Sequence, residues 1–368
     1  MSNQDLPRQI IGQKRRADTA LVYPDKKRPV RMDPMVHVGR HFGRTVSTVV
    51  NMKALITEGI ARAVRLEDHE VEFDDLDLAE QREHGVFTQL LAAVPDLFKR
   101  WEQSDEAGAH LCDMIQKGIA SSRSEDTKSL KGVILDWIIT PGQPVNPPLL
   151  RHTKYDRGYN HHITGRLLCP ANMDWSDSNV VEGLRSGSTR LLGVHWPLFL
   201  YENHEYNRED PWKGLFKGKL LVRAYKHVFT SPSSANNEEA KATRSGNARI
   251  HGMSKVTLAS IAYVATQVRF ALSSHNTFAR TNCVTETEQF FHTCMDLFLD
   301  RRELAEINGL LLWWNTKVFP AYFSAEMPIP DDTPLARIRA KRDAEEAAKA
   351  AAEAAAKAAA EPAAEAAA

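Results

Sequence analysis

VFTQLLAAVPDLFKRW, residues 86 to 101, carries its large apolar side chains at Val86, Leu90, Leu91, Val94, Leu97, Phe98 and Trp101. Steps of three and four residues follow the 3.6-residue turn, so the stretch reads as one apolar helical face. The same period returns at Leu111, Met114, Ile115 and Ile119, and again at Leu130, Val133, Ile134 and Trp137. It stops where Pro141, Pro144, Pro147 and Pro148 begin, because residues before proline are pushed out of the α region. Downstream, Trp212 to Phe229 sets Leu215, Phe216, Leu220, Ala224, Tyr225 and Val228 along one side, with Pro211 placed for a first turn. Met253 to Leu272, Glu286 to Leu299 and Arg302 to Phe319 give three more helical windows, the last open to a kink at Asn308-Gly309. Leu191 to Tyr201 is the best candidate for a strand. The expectation is a mainly α, multi-helix globular body with irregular loops and little strand.

Composition bounds the rest. The 368 residues hold 47 Lys and Arg against 47 Asp and Glu, with 43% hydrophobic and 26% charged residues, the balance of an ordinary globular chain. No run of eighteen apolar residues suits a membrane span, and Met1 to Arg16 has no apolar stretch of the secretory type. The four cysteines, Cys112, Cys169, Cys283 and Cys294, lack C-x-x-C spacing and read as buried thiols in a reducing compartment. Residues 1–34 combine eight basic residues with Pro7, Pro24, Pro29 and Pro34, so they are expected to be a disordered basic tail. Residues 331–368 end in an Ala-rich run with Glu345 four residues before Lys349, expected to be a solvated helix that frays. Between the tails, the proline cluster divides residues 35–140, a helical region, from 141–330, a second helical domain. Glu67, Asp68, Glu70, Glu72, Asp74, Asp75 and Asp77 form an acidic block read as a solvated face, since calcium-loop spacing is missing.

Three constellations could carry chemistry. Lys14, Arg15 and Arg16, nine residues ahead of Lys26, Lys27 and Arg28, present paired basic clusters as a nuclear import signal does to an acidic receptor groove. Second, KATRSGNARIHGMSK, residues 241 to 255, has Lys241, Arg244, Arg249, His251 and Lys255 and no acid. Turn chemistry at Ser245-Gly246-Asn247 and a helix capped by Ser254 would make it an anion or nucleic-acid cradle at a helix N-terminus. Third, Arg157, Tyr159, Asn160 and His161 could form a polar ligand surface in the loop from Arg151 to Pro170. His161 and His162 are adjacent and should diverge, so no metal site is expected, and no cofactor either. No G-x-S-x-G elbow supports nucleophilic catalysis. Trp175, Trp196, Trp212, Trp313 and Trp314 read as packing anchors.

The strings Tyr159-Asn160-His161 to Pro170, His195-Trp196-Pro197 with Phe199-Leu200-Tyr201, Glu209-Asp210-Pro211-Trp212, Ala242 to Met253 and Tyr263 to Leu272 resemble an uncharacterised domain family multiplied in the genomes of mushroom-forming (basidiomycete) fungi. The likeness runs from about Val133 to Phe319. It implies no activity, ligand or catalytic residue, and its multiplication hints at descent from mobile elements. The reading that emerges is a non-enzymatic nuclear protein that binds nucleic acid or a nuclear partner, is carried in by an import receptor and has no membrane contact. Alternatives are a scaffold or interaction protein, or an enzyme for an anionic or phosphorylated substrate whose pocket lies between the 151–170 and 241–255 loops; for location the alternative is the cytoplasm.

Overall fold

The computed structural model describes residues 32–139, 142, 145–235, 246–276, 286–320, 333–342, 344–345 and 348–349. The fold is mainly α: α1 (Pro34–Thr45), α2 (Met52–Glu67), α3 (Leu78–Ala93), α4 (Leu97–Gln103), α5 (Asp105–Ile138), α6 (His162–Leu168), α7 (Ser178–Ser186), α8 (Lys219–Phe229), α9 (Asn247–Ile250), α10 (Leu258–Leu272), α11 (Glu286–Leu299) and α12 (Leu304–Val318). Among the described residues the only β pairing is two isolated bridges, Pro170 with Pro197 and Tyr201 with Leu215.

Several elements depart from the expected boundaries for identifiable reasons. The stretch from Val86 to Trp101 is two helices, since Pro95 separates α3 from α4, and Phe98 stays 40% exposed. Leu191 to Tyr201 makes turns and a short 3-10 segment, with Leu192 and Val194 exposed, and among the described residues its β pairing is confined to the bridges at Pro197 and Tyr201. The window from Trp212 becomes helical only at Lys219, because Gly214 and Phe216 hold positive φ. Asn308-Gly309 does not break α12, which runs through it on buried Ile307, Leu310 and Trp314.

α5, 34 residues long, spans about 51 Å at 1.5 Å per residue and joins two apolar cores. Around its first half pack Phe42, Met52, Ile56, Phe87, Leu90 and Leu97, against Leu111, Ile115 and Ile119. Its last turns, with Leu130, Ile134 and Leu135, enter a larger core built on α8, α10, α11 and α12. α5, ending at Ile138, thus sends side chains into both cores. α10 lies at the centre of the larger one, with thirteen of its 15 residues buried, as a helix apolar on nearly every side must be.

One charged group sits inside this apolar frame. Arg44 of α1 donates to both carboxylate oxygens of Asp126 on α5, at 2.7 and 2.9 Å, and the Tyr263 hydroxyl of α10 donates to the same carboxylate at 2.6 Å. Arg44, Asp126 and Tyr263 are 2%, 7% and 1% exposed. Burial opposes the charge on Arg44, but the hydrogen bond and charge of Asp126 hold its pKa above the ordinary value.

Candidate functional site

The acidic block is exposed, and Asp77 within it caps α3 through a reciprocal pair with Glu80. Among the described residues no three His, Cys, Asp or Glu are grouped as metal ligands. No described helix is long and apolar enough to cross a membrane. Cys112, Cys169 and Cys294 are buried free thiols, and burial pushes the Cys169 pKa up to about 11.

The loop expected to cradle an anion is arranged differently. Lys241 and Arg244, like the six import residues at 14–16 and 26–28, lie outside the described residues. Arg249 and Lys255 are exposed, and among the described residues neither joins an ion pair. α10 does not begin at Ser254: Thr257 is its cap, sharing a reciprocal capping pair with Ser260 and donating to the Thr45 carbonyl at 3.0 Å. The helix N-terminus is therefore already satisfied from within the protein. Positive φ falls at Gly252 rather than at Gly246, which is needed because a Cβ there would sit 1.6 Å from the Thr230 carbonyl oxygen.

His251 faces inward. Its ring stacks on His37 (centroids 4.2 Å apart) and on His41 (4.5 Å), both on α1. Burial, followed by His41, His37, Arg44 and Arg40, lowers its pKa to about 3; the acids opposite, Glu125 and Asp126, are engaged by Arg40 and Arg44. A histidine whose folded pKa lies below its ordinary 6.5 stabilises the fold fully above pH 6.5, and that contribution is lost as pH falls toward 3. His251→Phe, which keeps a stacking ring, is expected to flatten the fall of melting temperature between pH 7 and pH 4.5. A variant that tracks the wild type over that range would show that the imidazole stack is not what acid attacks.

The strip Arg157, Tyr159, Asn160 and His161 is mostly interior. Arg157 is fully buried and donates to the Ala271 and Leu150 carbonyls. His161, 1% exposed, accepts from the Ile163 amide as the cap of α6. Tyr159 donates to the Leu168 carbonyl, and only Asn160 is exposed. His161 and His162 do not diverge but stack, with centroids 4.5 Å apart. Buried Lys154 likewise donates to the Phe270 and His275 carbonyls, so cations of this loop hold the C-terminal end of α10. The 246–257 segment meets the opposite end, about 22 Å away across 15 residues. Among the described residues the two loops thus meet opposite ends of α10.

A constellation that sequence periodicity left unread lies between α8 and α12. α8 buries Leu220, Leu221, Ala224, Tyr225 and Val228, which turns Lys219, Arg223 and Lys226 to its other side. On α12 the burial of Trp314 and Val318 leaves Trp313 and Lys317, four residues apart, facing the same space. With Lys217, Asn203 and Ser234 they line a cleft of ≈ 280 Å³. The Lys217 and Lys317 ammonium groups stand 6.0 and 5.9 Å from the centre of the half-buried Trp313 ring. Five cations face one carboxylate, that of Glu202, and among the described residues none of the five forms an ion pair. Like charges at this spacing repel unless an anion enters, and a half-buried indole beside them offers an apolar plane. The lining thus has the means to bind a negative charge beside an apolar plane.

These elements belong to a matched family. Residues 117–319, more than half of the chain, match the family of unknown function DUF6698, and the chain is a member of it. The matched stretch starts inside α5 and contains the whole α8–α12 cleft. No curated protein and no solved structure matches the chain.

Proposed function

We propose that this protein is a non-enzymatic, nuclear, nucleic-acid-binding protein and that the α8–α12 cleft takes the phosphate backbone of its ligand. The observation that carries this reading is the set of five cations around Trp313, Lys217, Lys219, Arg223, Lys226 and Lys317, none of which forms an ion pair among the described residues. Lys219 to Lys226 covers about 10 Å of helix, room for two or three successive phosphates. Arg and Lys contacts to phosphate release counterions, so affinity falls steeply with salt. The indole plane favours an unstacked base and hence a single strand.

The full chain is expected to bind a 15-nucleotide single strand at low salt. Arg223→Ala with Lys226→Ala should weaken binding at least tenfold and flatten the salt slope by ~1.4. Trp313→Ala should cost ~1–3 kcal/mol on single strands and little on duplex. Absence of binding at 20 mM salt, or binding that ignores both variants, would remove the reading. Arg249 and Lys255, both exposed, offer a second contact that Arg249→Ala tests in the same titration.

The clusters Lys14 to Arg16 and Lys26 to Arg28 supply nuclear entry in this reading. A fluorescent fusion whose distribution ignores their loss would detach the nuclear part. Descent from a mobile element multiplied in mushroom-forming fungi fits a chain that handles nucleic acid.

A further inference from the structure

A separate cavity, of ≈ 230 Å³, lies where the two cores meet. Val50, Leu55 and Val86 bring its walls from the first core, and Val49, Phe291 and Met295 from the larger one. Local sequence sets these positions. Residues 46–51 are the non-helical link from α1 to α2. Leu55 with Glu58 on α2, Glu83 with Val86 on α3, and Glu288 with His292 on α11 stand three or four residues apart, so each pair shares one helix face. The cavity is smaller than the roughly 300–1,000 Å³ that drug-sized ligands take, which limits an occupant to a small molecule.

Its polar groups divide into those already engaged and those still open. Arg82, the one lining cation among the described residues, is engaged by Asp296, and Glu83 accepts from Arg62 at 2.9 Å. Ser47 is 6% exposed, and its hydroxyl makes no hydrogen bond among the described residues. Among those residues Glu58 likewise enters no ion pair, and the ring nitrogens of His292 make no hydrogen bond. Burial, followed by Arg82, lowers the His292 pKa to about 4, so near neutral pH its imidazole is uncharged and keeps an open lone pair. A buried hydroxyl left without a partner is costly, and most such groups are satisfied. What the cavity calls for is therefore a donor. No open cation faces an anion here, whereas a carboxylate, an imidazole nitrogen and a hydroxyl oxygen match the three N–H bonds of an ammonium group.

We infer that this cavity binds a small primary amine with an apolar body, its ammonium group on Glu58, Ser47 and His292 and its carbon skeleton among Val49, Leu55, Phe291 and Met295. Because the walls come from both cores, the occupant clips α2 and α3 to α11. The cavity shares no lining residue with the α8–α12 cleft, and the inference stands without nucleic-acid binding.

Benzylamine, benzyl alcohol and benzoate, alike in size and different in charge, test it on the full chain. Each is titrated to ~10 mM, since so small a ligand is held to millimolar affinity. The chain carries carbon-13 at its methionine methyls, and the Met295 signal, identified by its loss in Met295→Leu, reports on the cavity. Benzylamine is expected to shift that signal with an affinity roughly tenfold above that of benzyl alcohol, the worth of a hydrogen bond to a charged group, while benzoate leaves it in place. Glu58→Gln, a change at an exposed position, should lose the advantage of the amine, and Glu58→Lys should admit benzoate instead. Ala54→Phe, which fills the cavity, should end the response to all three; the Glu58 variants keep the test readable if it does not fold. A Met295 signal that benzylamine does not move, an amine bound no better than the alcohol or the acid, or a Glu58→Gln variant that binds benzylamine as the wild type does overturns the inference.

Discussion

Asp126→Ala is expected to destabilise the fold by ~3–5 kcal/mol, the cost of leaving a buried charge without its partner. The substitution strands the Arg44 guanidinium, 2% exposed, and the Tyr263 hydroxyl, 1% exposed, both of which spend their donors on this carboxylate. Arg44 Nη1 already has no acceptor, and Glu125, the other acid acting on Arg44, is engaged by Arg40. Against a total stability of ~5–15 kcal/mol the loss is large and should lower the melting temperature by ~10 °C or more. Arg44→Met combined with Asp126→Leu should recover most of it, since an apolar pair of similar volume has no charge to desolvate. A single variant costing under ~1 kcal/mol in urea melts, or a double variant as unstable as the single, would refute the buried-pair account.

The same group shows why the family stretch cannot stand alone from residue 117. Asp126 and Tyr263 lie within residues 117–319, while Arg44 lies on α1, well before it. A chain beginning at 117 would keep the carboxylate and lose the cation. It would also expose Ile119, which is fully buried against the first core.

Helical period carries far in this sequence because burial is locally encoded. The Leu111 to Trp137 pattern is one helix, and the windows at 258–272, 286–299 and 304–318 stand close to where apolar spacing puts them. Errors arise where two local signals compete. Ser254 and Thr257 are both cap residues, and the decision falls to Ser260, whose hydroxyl answers the Thr257 amide. Trp212 to Phe229 has helical spacing throughout, but Gly214 and Phe216 turn the chain before α8 can start. The cleft was half legible: Lys219, Arg223 and Lys226 fall at helical spacing, as do Trp313 and Lys317. What no local pattern contains is that two basic faces ninety residues apart in sequence meet. The Arg44–Asp126 pair, 82 residues apart, is hidden for the same reason. Isolated charges in an amphipathic helix look like surface until the neighbouring helix is known.

Gly118→Ala and Gly132→Ala, made in the same helix, are expected to shift stability in opposite directions. In both cases alanine raises helix propensity by up to ~1 kcal/mol over glycine. At Gly132 an added Cβ meets nothing within 4 Å, so the gain should appear nearly whole. At Gly118 the new methyl would lie 2.3 Å from the Val36 carbonyl oxygen and 2.8 Å from the Arg40 amide nitrogen. Those are backbone atoms of α1, which cannot rotate aside as a side chain would. Reciprocally, a Cβ at Gly39 would lie 2.1 Å from the Ile115 carbonyl oxygen, so the two helices touch main chain to main chain. Accommodation requires α1 to move off α5, which loosens Phe42 in the first core and buried Val36 and strains the Arg44–Asp126 geometry further along the same pair of helices. Overpacking costs of ~1–3 kcal/mol exceed the propensity gain, so Gly118→Ala should be net destabilising, and Gly118→Val, with two more methyl groups and a β-branched stem, more so. Urea midpoints read the sign directly. If Gly118→Ala proves as stabilising as Gly132→Ala, α1 does not approach α5 this closely, and the route by which Arg44 reaches Asp126 must be redrawn.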